Sequence, residues 1–219
     1  MRKLIVTNIV SLDGFYEGPG GNVMVLPMDP AFDDYNLERL QEADTLLLGR
    51  TTYEQFKGFW PEVADDPQAA AEHLGIPAHV LDTPTHREIS KLQNTIEKIV
   101  ASDSLTPEQT DPWRDTTRIV HQADVRDQVA ELKRGPGRDV LVFGSRTLWN
   151  DLLAAGLVDE LHLIVGAAVL GDGTPAFSAP PAAPLRLLGS RSFTGSHNLL
   201  VRYAANPTAR TNRSDQPQR

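Results

Sequence analysis

Apolar runs, the first of them interrupted by Thr7 and Asn8, alternate with amphipathic stretches along most of the chain. Leu4 to Val10, Thr45 to Leu48, Ile96 to Ala101 and Val140 to Phe143 are rich in aliphatic and β-branched residues. Runs of this kind, with little polar alternation, predict strands buried on both faces of a sheet. Thr117 to Val120 and Leu161 to Val165 predict two more. Between the runs, apolar residues fall at helical spacing. Phe32, Leu37 and Leu40 form one such stripe, Val125, Val129 and Leu132 a second, and Leu148, Leu152 and Leu153 a third. Asp29-Pro30 reads as an N-cap acid followed by proline in the first turn. Gly135-Pro136-Gly137 and Gly156 stand where helices stop.

Residues 62 to 92 have weak periodicity and read as a variable excursion, with a helix over Pro67 to His73. Leu185 to Leu188 and Leu199 to Tyr203, joined by Gly189 to His197, predict an antiparallel hairpin. From Asn206 onward the composition is that of a disordered tail. No linker divides residues 1 to 205, so strand–helix alternation predicts one α/β domain with a mixed sheet.

Two of the strand ends run through glycine into a helix. One is Gly144-Ser145 and the other is Gly49-Arg50-Thr51-Thr52. Such a junction leaves backbone N–H groups free at a helix N-terminus, where they and the helix dipole attract phosphate. Glycine permits close approach of a ligand. Arg50 adds charge-assisted hydrogen bonding. The structural alternatives stay open here: Gly144 as a tight turn, and Thr51 as an N-cap completed by Glu54 in a capping box.

The 219 residues include no cysteine, which removes disulfides, zinc–thiolate sites and thiol nucleophiles. A formal net charge of -8 argues against nucleic acid and anionic membranes as partners. No apolar run approaches a membrane span, and the run after Met1 reads as a strand rather than a signal peptide, so a cytoplasmic protein is expected. His73, His79 and His86 lack a metal-ligand spacing, and no metal is expected.

The ordered set of motifs says more than any one of them. Ser11-Leu12-Asp13-Gly14-Phe15 is followed by Ala43-Asp44-Thr45-Leu46-Leu47-Leu48-Gly49-Arg50-Thr51-Thr52-Tyr53-Glu54 and by Lys98-Ile99-Val100-Ala101-Ser102. Then come Phe143-Gly144-Ser145, Gly156-Leu157-Val158-Asp159-Glu160-Leu161-His162-Leu163 and Leu170-Gly171-Asp172-Gly173-Thr174-Pro175-Ala176-Phe177. Together they resemble the dihydrofolate reductase superfamily, in the branch of the riboflavin-biosynthesis reductase domain. The resemblance implies a mixed, mostly parallel central sheet flanked by helices, with a C-terminal antiparallel hairpin. It implies NADPH, with NADH as the alternative, held across two βα turns. Carried over, Gly49, Arg50, Thr51 and Thr52 match the first phosphate turn. Gly144, Ser145, Arg146 and Thr147 match the second. The Ile9 backbone and Ser11, Asp13 and Gly14 match the nicotinamide edge. Ser102 matches the position beside the adenosine 2′-phosphate. Asp103 follows it as a departure, because a carboxylate there repels phosphate.

On the substrate side, Asp29 matches the acid that supplies a proton in related reductases, with Asp33 one turn on. Asp29 as a simple N-cap is the competing reading. Phe15, Tyr16, Phe56 and Trp60 are candidate pocket walls or core residues. The expectation is an NAD(P)H-dependent reductase acting on a small pterin- or pyrimidine-like heterocycle, assembled as a homodimer. A nucleotide- or ligand-binding dimer of the same fold without turnover is the alternative.

Overall fold

The computed structural model describes residues 2–206. Eight strands form the central sheet in the order β5-β4-β3-β6-β1-β7-β10-β9. Six of them run parallel: β1 (Leu4–Ser11), β3 (Ala43–Gly49), β4 (Glu97–Ala101), β5 (Thr117–Val120), β6 (Asp139–Phe143) and β7 (Glu160–Gly166). β10 (Leu199–Ala204) pairs antiparallel with β7, and β9 (Arg186–Ser192) with β10. The mixed sheet with its C-terminal hairpin is therefore as the periodicity and the resemblance implied.

Helices cover both faces, and the residues of β1 show why its run is mostly apolar. Leu4, Val6 and Val10 enter one apolar cluster with Val140, Val142, Trp149 and Leu152. Ile5 enters a second, with Leu46, Leu48, Tyr53, Ile89 and Leu141. Successive side chains point to opposite faces, so a strand with both faces covered is apolar at most positions, here at all but Thr7, Asn8 and Ser11.

The helices begin where the sequence provides caps. Helix α1 (Pro30–Glu42) starts after Asp29, whose carboxylate accepts the Phe32 N–H at 3.1 Å. α2 (Arg50–Phe59) follows β3 directly, α6 (Val125–Arg134) follows β5, and α7 (Arg146–Ala154) follows β6. Gly156 adopts φ +70 just past α7, as a C-terminal glycine should.

Three readings need correction. The excursion at 62–92 contains α3 (Pro67–Leu74), the short α4 (Ala78–Leu81) and a full helix α5 (Pro84–Thr95). α5 is hard to see because Ser90 and Gln93 share its buried side with Ile89. Thr51 caps nothing: α2 begins after Gly49, Thr51 is exposed, and Glu54 pairs with Arg50 instead. β9 runs on to Ser192, beyond the expected Leu188, because an exposed edge strand needs no apolar pattern. The expected disordered tail lies, from residue 207 onward, outside the described residues.

The Gly156 to Leu163 motif fixes the base of the sheet. Asp159 accepts the Leu4 N–H at 2.8 Å and pairs with Lys133 at 2.7 Å. His162 is fully buried between the Tyr35 hydroxyl at 2.7 Å and Glu160 at 2.9 Å. Burial lowers the His162 pKa, so the ring is neutral, donates to the Glu160 carboxylate and accepts from Tyr35. Glu160 is held at about 2: burial opposes ionisation, but hydrogen bonds from His162 and Lys3 overcome it. The motif thus docks α1 and the chain terminus to the sheet, far from the carboxyl ends of the strands.

Candidate active site

Ligands of open parallel sheets bind outside the carboxyl ends of the strands. In this sheet those ends are Ser11, Gly49, Ala101, Val120, Phe143 and Gly166. β1 pairs with β7 all the way to Ser11↔Gly166, but its last pair with β6 is Thr7↔Phe143. Past Thr7, one backbone edge of β1 therefore opens beside the turn that follows β6.

That turn is unusual. Gly144 and Ser145 both have φ +53. The left-handed region costs a side-chain-bearing residue roughly 1–2 kcal/mol, so Ser145 is held there by its surroundings. Its N–H donates to Thr52 Oγ1 at 2.9 Å, and its hydroxyl accepts the Gly49 N–H at 2.9 Å. The two βα turns predicted from sequence are thus clasped together. A Cβ at Gly144 would lie 2.8 Å from Thr52 Cγ2 and 3.3 Å from the Tyr16 hydroxyl, so only glycine fits. Gly49 differs: it has no positive φ, and an added Cβ would meet nothing closer than 3.8 Å. No side chain caps the first turn of α2 or α7. Both helices therefore keep N–H groups and positive dipole ends at the same edge.

Around the clasp the other candidates fall into place. Arg50 bridges from its turn to the loop after β4, donating to Ser104 Oγ at 2.5 Å and to Glu54 at 2.9 Å. Ser102 is buried, and its hydroxyl oxygen accepts the N–H groups of Ser104 and Leu105. Asp103 turns to the end of β5, accepting the Gln122 N–H at 3.0 Å and facing His121 Nδ1 at 3.2 Å. Arg146 donates to the Pro175 carbonyl, and Thr147 is exposed beside it. At the end of β1, Ser11 donates to Asp13 at 2.6 Å and accepts the Phe15 N–H at 2.8 Å. Asp13 in turn accepts the Leu170 and Gly171 N–H groups, the latter at 2.8 Å. Gly14, at φ +86, receives the Ala176 N–H on its carbonyl. Ile9 pairs with Ile164 and buries its side chain against Leu26 and Tyr35.

The two proposed acids are otherwise engaged. Asp29 caps α1 and also accepts the Ser196 hydroxyl. Asp33 pairs with His86 Nε2 at 3.1 Å, and the Asp33 partnership raises the His86 pKa. Among the candidate aromatic walls, Phe56 and Trp60 pack on the second apolar cluster, and Tyr16 on the first. Tyr16 lies on β2 (Phe15–Glu17), which forms a small separate sheet with β8 (Thr174–Pro175). Burial pushes its phenol up to about 12, so its proton stays on.

Two polar residues take parts that their sequence positions did not assign them. One is Tyr16 as a hydroxyl donor beside Gly144. The other is Asn8, whose Nδ2 is buried without a hydrogen-bond partner at the first β1 position beyond the β6 pairing. A polar residue inside an otherwise apolar strand run was the available signal. Among the described residues, no group of three or more His, Cys, Asp or Glu side chains is placed to hold a metal ion.

The fold is dihydrofolate-reductase-like. The sequence matches the RibD C-terminal domain family over residues 2–199, and the chain belongs to that family. It is 30% identical over 196 residues to the uncharacterized protein YyaP of Bacillus subtilis, covering 88% of this chain and 90% of that one. Two solved structures share the fold. A pyrimidine reductase-like protein of Corynebacterium diphtheriae matches with TM-score 0.57 at 15% identity, over 93% of this chain and 91% of that one. The diaminohydroxyphosphoribosylaminopyrimidine deaminase/5-amino-6-(5-phosphoribosylamino)uracil reductase of Thermotoga maritima matches with TM-score 0.60 at 14% identity, over 93% and 56% of the two chains.

Proposed function

We propose that the protein is an NAD(P)H-dependent reductase that delivers hydride to a small, planar, unsaturated acceptor. The observation that carries this reading is the clasp. Two uncapped helix N-termini stand side by side, locked by Thr52 and Ser145, with glycine where a Cβ would intrude. A dinucleotide pyrophosphate suits that arrangement, since fixed N–H dipoles bind anions without reorganising. Gly49, Arg50, Thr51 and Thr52 on one turn and Gly144 to Thr147 on the other would hold the phosphates. The open β1 edge beyond Thr7, with the unpaired Asn8 amide, suits a flat carboxamide-bearing ring. When bound, a reduced nicotinamide supplies a hydride, a proton with two electrons, and solvent supplies the proton that completes the reduced acceptor.

The chain's own part is positioning. Asp13 draws the loop after β7 over the end of β1 through the Leu170 and Gly171 N–H groups. Ordering that edge excludes water from the transfer. Membership of the RibD C-terminal domain family and the names of the structural neighbours support a reductase.

A second reading has one observation in its favour. Asp29 and Asp33 both spend their carboxylates on structural partners, so no acid among the proposed pair is free to supply a proton. A dinucleotide-binding protein without turnover would look the same. The deciding measurement is steady NADPH or NADH oxidation at 340 nm with quinone, pterin and pyrimidine acceptors, run beside dinucleotide binding by tryptophan quenching. Tight binding with no oxidation for any acceptor selects the second reading. Failure to bind either dinucleotide removes both.

A further inference from the structure

The acceptor side of the site carries an unexpected charge pattern. If the cofactor turns lie along β3 and β6, the acceptor must meet the edge built from β1, β7 and the start of α1. The loop after β1 and the loop after β7 are knit together there. The Leu12 N–H donates to the Ala168 carbonyl at 2.8 Å, and Pro27 packs so closely on Gly166 that a Cβ there would lie 2.7 Å away.

Residues 11 to 38 contain no Lys, Arg or His, and residues 166 to 185 contain none either. The first stretch does contain Asp13, Glu17, Asp29, Asp33, Asp34 and Glu38. Every one of those carboxylates has a partner within the fold. Asp13 holds the Gly171 amide, Glu17 the Thr174 hydroxyl, Asp29 the first turn of α1, Asp33 His86, Asp34 Thr85 and Glu38 Arg191. Much of what these loops expose is apolar, beside the exposed acids Asp13 and Asp172. Leu12 is 65% exposed, Met24 75%, Met28 37% and Val169 72%. Exposed aliphatic side chains gathered on two interlocked loops mark a binding surface.

We infer that the acceptor is an uncharged, largely apolar ring system such as a quinone, and not a phosphorylated pyrimidine nucleotide. This rests on the reductase reading and names its substrate class. A phosphate needs cationic or well-placed N–H partners, and an anion brought against these two loops meets the exposed acids Asp13 and Asp172, with no cationic residue in either stretch. The bases at the site, Arg50 and Arg146, stand on the dinucleotide turns. The cations that do meet this acidic stretch, His86 on Asp33 and Arg191 on Glu38, are held in ion pairs along α1.

The test uses the full chain and a pair of probes differing by one negative charge, 1,4-naphthoquinone and its 2-sulfonate. The chain has no cysteine for either to modify. Equilibrium dialysis at low salt should show the neutral probe bound at least tenfold more tightly. Val169→Lys should narrow that preference to under threefold, because it places a cation on the exposed patch. Equal or tighter binding of the sulfonate overturns the inference, as does binding of neither probe at millimolar concentration. Faster turnover of 5-amino-6-(5-phosphoribosylamino)uracil than of its dephosphorylated form also overturns it. So does a Val169→Lys protein that loses self-association while its probe preference is unchanged, which would assign the patch to a second copy. Neutral-probe preference without NADPH oxidation sustains the ligand class and removes the reductase reading, so the two fail separately.

Discussion

Thr52 and Ser145 close the candidate site between them: the buried Ser145 N–H donates to Thr52 Oγ1 at 2.9 Å. Ser145 returns the connection by accepting the Gly49 N–H, three positions before Thr52. Neither contact belongs to a helix or a strand ladder. Each instead joins the turn after β3 to the turn after β6, two strands that are neighbours in the sheet.

Thr52→Val tests that clasp with almost no change of shape. It removes the acceptor and leaves a buried N–H unsatisfied, which costs about 1–3 kcal/mol. For a chain of this size the melting temperature should fall by roughly 2–4 °C per kcal/mol. Dinucleotide affinity should fall as well, by about tenfold, since loosening the pair of turns disorders their N–H groups. Thermal melts and tryptophan-quenching titrations of the same preparation measure both. Unchanged affinity with lowered stability would detach the clasp from binding.

Much of this was legible in the sequence, and the remainder was not for identifiable reasons. The apolar β1 and β6 runs and the glycines after β3 and β6 are local signals, so the sheet and both turns could be placed. The partnership of Thr52 with Ser145 spans many residues of chain and leaves no periodic trace. β2 and β8 are too short to show alternation. Asp29 was correctly placed before α1, but its bond to Ser196 comes from the far hairpin. Asp33 likewise meets His86 from a helix whose own pattern was too polar to recognise. The one local clue to α5, Thr83 followed by Pro84, is the same capping signature that revealed α1.

Asp13 should act on loop order rather than on chemistry. Hydrogen bonds from the Ser11 hydroxyl and the Gly171 and Leu170 amides hold its pKa at about 2. Its folded pKa lies below the ordinary 3.8, so its contribution is complete above that value and fades as pH falls through 2. Asp13→Ala should accelerate hydrogen exchange at Leu170 and Gly171 at neutral pH while leaving the β6 amides protected. Protection unchanged at Leu170 would mean the loop is held by other contacts.

Lys98 gives the protein a recognisable stability profile. It is fully buried on β4, with Nζ bonded to the Ile96 carbonyl at 2.9 Å and 4.4 Å from the Trp113 ring centre. Burial lowers its pKa from 10.5 to about 7. The unfolded chain therefore binds more protons than the folded one between those values, and stability rises with pH across that window. Denaturant midpoints at pH 7 and pH 9.5 should show the rise in the native protein. Lys98→Met should largely lose it, and equal slopes in the two proteins would contradict the assignment.

Assembly can be checked without a ligand. β9 has β10 on one side and, among the described residues, no strand on the other, and Leu187 on it is 56% exposed. Unprotected edges of this kind invite a second copy. We expect a homodimer, with light scattering at micromolar concentration giving twice the 24.1 kDa of one chain. Leu187→Lys should shift the mass toward the single chain.

Cofactor choice turns on Asp103 and Arg50, and the structure sharpens the expectation. Arg50 reaches across to Ser104, so its guanidinium lies by the loop after β4 where an adenosine 2′-phosphate would lie. Asp103 stands on that loop, but its carboxylate leans toward His121 and the Gln122 N–H. Its side chain is 58% exposed, so water screens most of its repulsion. Attraction from Arg50 and weak opposition from Asp103 give a modest preference for NADPH over NADH, under about 30-fold, or roughly 2 kcal/mol. Arg50→Ala should bring the two dinucleotides close to equal affinity. Asp103→Arg should move the ratio further toward NADPH, with a small loss of stability from the Gln122 N–H it no longer accepts. Paired titrations of both dinucleotides decide the matter. If Asp103→Arg leaves the ratio unchanged while Arg50→Ala collapses it, the 2′-phosphate is read from the β3 turn alone.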